Sequence, residues 1–195
     1  MAVRLVPPSE TLTAPGLLLR RWRSADVRPM VRAVQASLPE LSPWMPWAVE
    51  GYGNTEARAF LDDGRRQWDE GRAFNYAIVR GSRDVIGATS LMARVGPGAL
   101  EIGYWVDSRH TGRGVARRAA AALAAAGLAV PGIDLIEIHH DPANLASAAV
   151  PRALGFERSD DIVDDDGRPT SVWRLPAARL ADSRIPDLLD QRRYR

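Results

Sequence analysis

The sequence predicts an α/β (α+β) domain built on a mixed central sheet, and three stretches predict it. Residues 99–128, ALEIGYWVDSRHTGRGVARRAAAALAAAGL, read as a strand over Ala99–Val106, a turn carrying Gly112 and Gly114, and a helix that begins near Arg113 and runs to about Leu128. Residues 135–154 repeat that order, with a β-branched and apolar strand at Leu135–His140 and a helix from Asn144 to Leu154. Ahead of both, Phe74–Arg80 and Val85–Ala93 read as an antiparallel pair, so the sheet grows in sequence order before it reaches the strand-to-helix units.

The remaining elements follow from local signals. Residues up to Pro15 read as a loose arm, and Leu17–Trp22 is apolar enough for a first strand. Ser24 or Asp26 can cap the next helix, which tolerates Pro29 only in its first turn, runs to about Ser37 and stops before Pro39. Pro39, Pro43 and Pro46 make the segment 39–53 a stiff loop, in which Trp44 and Trp47 either wall a substrate pocket or plug the core. Asn54 or Thr55 caps a helix to about Glu70, with Phe60, Leu61 and Trp68 on its apolar face and Gly71 as its stop. Gly81-Ser82-Arg83-Asp84 joins the antiparallel pair, Gly96-Pro97-Gly98 leads into the central strand, and Pro131-Gly132 breaks the chain after the alanine-rich helix. Gly155 ends the helix from Asn144 in the left-handed conformation. Phe156–Asp161 and Pro169–Leu175 form a closing hairpin around Asp164-Asp165-Asp166-Gly167, a solvated turn or an electrostatic trap for a cationic acceptor. Residues 176–195, ending in QRRYR, read as a short helix or partly ordered extension.

Composition narrows the function. A chain of 195 residues, 46% hydrophobic, supports one domain, with its core over 17–175 and an extension from 176. There is no cysteine, which removes disulfides, thiolate metal sites and cysteine nucleophiles, and three histidines at scattered positions make a poor metal set, so no metal is expected. The formal charge is only +2 with dispersed arginines, which gives little support to nucleic-acid binding. MAVRLVPPSE lacks the apolar core of a secretory signal, and the run Ala119–Val130 is too short to span a bilayer; a soluble cytoplasmic protein without a membrane partner is expected.

The glycine turn carries chemistry. Glycines let the backbone approach a ligand closely, and the N–H groups of a first helical turn point at whatever sits there, a geometry suited to phosphate. Arg113, Arg117 and Arg118 crowd the N-terminal half of the helix, where the dipole disfavours exposed cations by about 0.3–1 kcal/mol each. A bound polyanion reverses that sign; solvation and helix propensity are the alternative account. The P-loop pattern G-x-x-x-x-G-K-[ST] is absent, and T-G-R-G-V-A lacks the spacing of G-x-G-x-x-G.

What remains resembles motif A of the GCN5-related N-acetyltransferases (GNAT), [QR]-x-x-G-x-[GA], whose turn holds the pyrophosphate of coenzyme A. Set on Thr111, Gly112, Arg113, Gly114, Val115 and Ala116, the pattern has Thr111 in place of Gln or Arg and keeps the backbone cradle. IEIHHDPANLASAAVPRALGFE, residues 136–157, is similar to motif B, with Asn144 and Ser147 as its N-x-x-S pair and L-G-F at Leu154–Phe156. LLLRRWRSAD and SPWMPWA resemble the RimJ/RimL branch, which acetylates protein N-termini or small amines. The resemblance covers about residues 17–175 and implies the GNAT fold: a mixed sheet of about seven strands, a V-shaped splay between strands 4 and 5, and about four flanking helices.

The resemblance also implies the parts of the site. The pantetheine arm slides into the splay and hydrogen-bonds to backbone, with Val106, Gly112, Arg113, Gly114, Val115, Ala116, Arg117 and Asn144 as the cofactor contacts and acetyl-CoA as the acyl donor. Transfer to an amine requires a neutral amine, a polarised carbonyl and a proton for the departing thiolate. An α-amine, with a pKa of about 7.7–8.0, is partly neutral at cytoplasmic pH, so the base can be modest. Glu101 is the first candidate base, because strand alternation sets it with Gly103 and Trp105 on one face, beside space for a relaying water; His140 is the second. For each, a structural role is the favoured alternative. Ser147 is assigned to protonate the thiolate and Asn144 to bind pantetheine, against the alternative that both merely cap their helix. Trp44 and Trp47 are the acceptor-binding candidates. A larger acyl donor such as succinyl-CoA, a non-catalytic acyl-CoA sensor and a nucleotide-phosphate or RNA module are the competing classes; the acceptor and a homodimer both stay open.

Overall fold

The computed structural model describes residues 5–81, 84–164 and 166–190. Strands β1 (Thr11–Ala14), β2 (Leu17–Arg21), β3 (Ala73–Arg80), β4 (Asp84–Met92) and β5 (Ala99–Val106) lie side by side in sequence order, each antiparallel to the last. β6 (Leu135–His140) then joins β5 in parallel, and β9 (Pro169–Pro176) joins β6 antiparallel. The short β7 (Glu157–Arg158) and β8 (Ile162–Val163) both pair with β9. Among the described residues the one parallel pairing, β5 with β6, is the one that shapes the molecule. It covers Ala99↔Leu135, Leu100↔Ile136 and Glu101↔Glu137, while β5 continues to Val106 and β6 to His140. Beyond residues 101 and 137 the two strands part, which is the expected V-shaped splay.

Helices cover both faces. On one, α4 (Val115–Leu128) and α5 (Leu145–Leu154) pack with the inward residues Leu100, Ile102, Ile136 and Ile138. The alanine run of α4 explains how close that helix lies: Ala119, Ala120, Ala121 and Ala124 are fully buried, and a Cβ on Gly127 would stand 2.8 Å from Ile136 Cδ1. On the other face α1 (Val27–Gln35), α2 (Leu38–Leu41) and α3 (Asn54–Glu70) gather Met30, Val34, Leu41, Ala57 and Leu61 against Ala88 and Trp105. A short α6 (Ile185–Leu189) follows β9 and packs on α4.

Several expectations shift. The described part of the opening arm is not loose: Thr11–Ala14 turns at Pro15-Gly16 and pairs with β2, so the sheet gains an edge strand. With that strand and the divided closing hairpin, nine strands and six α-helices are described where about seven and about four were expected. The first helix is capped by neither Ser24 nor Asp26 in the usual sense. Ser24–Asp26 is a 3-10 turn, and Asp26 is spent on Arg20, at 2.7 Å, and on Arg23 N–H. α1 stops before Pro39, at Gln35, but the segment from Pro39 is not all loop: Pro39 sits in the first turn of α2, where its missing N–H costs nothing. Gly53, not Asn54 or Thr55, is the N-cap of α3, its N–H donating to Glu56. α4 begins at Val115 rather than near Arg113. Ser82, Arg83, Asp165 and the terminal QRRYR lie outside the described residues.

Candidate active site

The loop from β5 to α4 is built for a close approach to its backbone. Gly112 and Gly114 both hold left-handed φ values, +69° and +68°, and nothing lies within 4 Å of where a Cβ on Gly112 would stand. The α4 ladder starts with Arg118 N–H donating to Gly114 O, so the N–H groups of Val115, Ala116 and Arg117 precede it at the helix end. Arg117 and Arg118 fold back over the loop: their guanidinium nitrogens lie 3.6 and 3.4 Å from a Cβ position on Gly114, and Arg118 Nη1 donates to Arg113 O. Cations thus stand at the end of the helix where the dipole is positive, an arrangement that suits a polyphosphate.

This backbone corrects the register of motif A. With the left-handed pair Gly112 and Gly114 at the two glycine positions, the pattern runs from Arg109 to Gly114, and Arg109 supplies the residue that Thr111 lacked. Arg109 Nε donates to Asp107 at 2.9 Å, and Asp107 is almost wholly buried. Burial pushes that carboxyl up, but the Arg109 side chain, backbone N–H and charge outweigh it and hold Asp107 below the ordinary carboxylate range. The loop is also tied to the junction between α1 and α2: Ser108 N–H donates to Ser37 Oγ and Ser108 Oγ to Ala36 O.

The second helix end faces the same splay. Asn144 is the N-cap of α5, its Oδ1 accepting from Ser147 N–H at 2.9 Å, so the capping role falls on Asn144 and leaves the Ser147 hydroxyl for something else. That hydroxyl lies 3.1 Å from the phenol of Tyr104, a β5 residue the sequence reading passed over. Tyr104 OH also donates to Ser147 O at 3.1 Å. Sequence explains why that carbonyl is available: its helical donor would be the N–H of residue 151, and residue 151 is proline. Burial pushes the Tyr104 phenol up to about 12, against the pull of the Ser147 hydrogen bond, so it stays a proton donor at neutral pH.

The two candidate bases are both engaged. Arg94 Nε and Nη2 donate to the two oxygens of buried Glu101, at 2.7 and 2.6 Å. Glu101 does share a face with Gly103 and Trp105, but Met92 Cε lies 3.0 Å from a Cβ position on Gly103 and takes part of the space beside it. His140 Nε2 accepts from Trp173 Nε1 at 2.9 Å, which leaves the ring proton on Nδ1, donated to Asp141 O. The ring then has no lone pair to offer. Trp47 and Trp44 are 38% and 36% exposed, so they wall the surface rather than plug the core. The Trp47 ring lies 6.0 Å from Trp105, two residues along β5 from Gly103, and 5.8 Å from Tyr52. Among the described residues no group of three or more His, Asp or Glu could hold a metal ion, and no helix is long and apolar enough to cross a membrane.

A family model described as an acetyltransferase (GNAT) domain matches residues 16–157. Among solved structures, Mycobacterium smegmatis RimJ in complex with CoA-disulfide superposes with a TM-score of 0.78 at 24% identity, covering 91% of each chain. RimL, a ribosomal L7/L12 alpha-N-protein acetyltransferase in complex with coenzyme A, gives 0.74 at 22% identity over 88% of this chain and 97% of its own. The ribosomal-protein-S5-alanine acetyltransferase of Vibrio fischeri gives 0.75 at 20% identity over 87% and 97%. At these identities the likeness is one of fold. No curated protein matches the chain in sequence.

Proposed function

The chain belongs to the GNAT acetyltransferase family, and from that premise we propose that it moves an acetyl group from acetyl-CoA to a primary amine, the α-amine of a protein N-terminus or a small-molecule amine, by direct attack in a ternary complex. The observation that carries this reading is the splay itself: two strands that pair over three residues and then part, with the N-terminal ends of two helices beside the opening.

In this reading the N–H groups at Gly112–Arg117, with Arg113 and Arg117, hold the pyrophosphate, and Val106 and Asn144 contact the pantetheine arm. Coenzyme A supplies the activated acetyl thioester. Ser147, backed by the protonated Tyr104 phenol, delivers a proton to the departing thiolate, and the pair is refilled from solvent. Trp44, Trp47 and Trp105 line the approach of the acceptor on the opposite face. An α-amine suits the site because part of it is neutral at pH 7, whereas a lysine, at about 10.4, is not. The relatives named for ribosomal-protein N-termini favour the same acceptor class.

The test is release of free coenzyme A from acetyl-CoA and from succinyl-CoA, each mixed with peptide N-termini, polyamines or amino acids. Acetyl-CoA turnover with at least one amine is expected. Preference for succinyl-CoA assigns a different acyl transfer, and tight acetyl-CoA binding with no thiol release under any amine contradicts an enzymatic role.

A further inference from the structure

At the apex of the splay five charged or titratable side chains form one chain across three strands. Arg94 holds Glu101, as described; Arg174 Nε donates to Glu137 Oε1 at 2.8 Å; and His139 lies between the two glutamates. Its Nε2 is 2.6 Å from Glu137 Oε2, and its Nδ1 is 3.7 Å from Glu101 Oε2, beyond hydrogen-bond reach. Arg174 donates to one oxygen of Glu137 and His139 Nε2–H to the other, and in the neutral ring that tautomer leaves the lone pair at Nδ1.

Strand alternation places this ring. Ile136 and Ile138 are buried toward α4 and α5, so Glu137 and His139 face the other way, with Glu101, Gly103 and Trp105. Extending the β5–β6 register two residues past its last pair sets His139 opposite Gly103, the one position on that face of β5 without a side chain. His139 therefore stands where the strands have parted, on the face of Trp105 and Trp47, while Tyr104 and Ser147 stand on the other.

We propose that His139, oriented by Glu137, is the base that takes the proton of the attacking amine. The proposal rests on the acetyltransferase reading above. The neutral amine attacks the thioester carbon and a C–N bond forms; one N–H proton passes to Nδ1 of His139. The C–S bond breaks, and the thiolate takes its proton from the Ser147–Tyr104 side. The imidazolium so formed meets Glu101 at Nδ1 and Glu137 at Nε2, and it later returns its proton to water. The charged groups facing the ring are Arg94 from the β4–β5 loop, Glu101 on β5, Glu137 on β6 and Arg174 on β9; Asp164 acts on Arg94 from the closing hairpin. Each glutamate beside the ring is thus paired with an arginine.

The experiment compares wild type and His139→Gln with acetyl-CoA and an alanine-initiated peptide across pH. The glutamine amide still donates to Glu137 but takes no proton. Turnover should fall about 10²-fold or more, and the acid limb of kcat/KM should keep only the step set by the substrate's own α-amine, with acetyl-CoA affinity and melting temperature unchanged. A His139→Gln enzyme with the wild-type rate and profile overturns the proposal. NMR of ¹⁵N-histidine-labelled wild type reads the same claim without turnover: the neutral ring must carry its proton on Nε2, and a proton resident on Nδ1 overturns it. A wild type that acetylates no amine fails the underlying function instead, and the NMR experiment still decides whether the ring is built to accept a proton.

Discussion

Ser147 and Tyr104 sit 43 positions apart in sequence and meet because three local choices agree. Asn144 takes the cap, Pro151 strips the Ser147 carbonyl of its helical donor, and β5 carries a phenol to that carbonyl. The contact separates two roles that residue type alone leaves merged. Ser147→Ala keeps the backbone N–H that Asn144 caps, so the melting temperature should barely move while kcat falls by about 10²-fold or less and KM for acetyl-CoA holds. Asn144→Ala should instead cost about 1 kcal/mol of stability. Full kcat in Ser147→Ala returns its hydroxyl to structure. Residues named by motif, such as Gly112, Gly114, Asn144 and Ser147, were legible in the sequence because their spacing is local. Tyr104 and His139 were not, because their importance lies in partners on other strands.

At the scale of elements, the strands and helices that border the splay fall where periodicity puts them, with β5 and β6 matching residue for residue. Missed boundaries have local causes: two left-handed glycines delay α4 to Val115, and an edge strand as short as Thr11–Ala14 leaves too few residues for alternation to register. The arginines of α4 give the element a test. With Arg117 and Arg118 folded over the Gly114 loop, dephospho-coenzyme A, which lacks the 3′-phosphate, should compete less well against wild type than against the alanine variant that has lost the phosphate contact. Equal discrimination by Arg113→Ala, Arg117→Ala and Arg118→Ala takes these side chains off the 3′-phosphate.

The whole molecule is a sheet opened at one seam, with the Tyr104–Ser147 hydroxyl pair on one face and carboxylates, a histidine and indoles on the other. Its buried phenols give it an alkaline limit. Burial raises Tyr104 and Tyr52 to about 12, the latter helped by Glu56, and pushes Tyr76 higher still, against about 10 in an unfolded chain. A raised pKa means that the fold favours the neutral phenol, so this stability is complete below about pH 10 and is lost as pH climbs toward 12. Melting temperature should fall across that window, less steeply in Tyr52→Phe, whose hydroxyl has no hydrogen-bond partner among the described residues to lose. A slope unchanged in both Tyr52→Phe and Tyr104→Phe contradicts that assignment. The central claim, that the Gly112–Gly114 loop and the α4 end hold the pyrophosphate of acetyl-CoA, is tested most directly by calorimetric titration of acetyl-CoA into wild type and Gly114→Glu. A side chain there adopts a left-handed conformation at a cost of about 1–2 kcal/mol, which leaves the domain folded, but it places a carboxylate in the cradle. Saturable one-to-one binding by wild type and none by a cooperatively melting Gly114→Glu protein is the predicted result; equal affinity in the two proteins contradicts it.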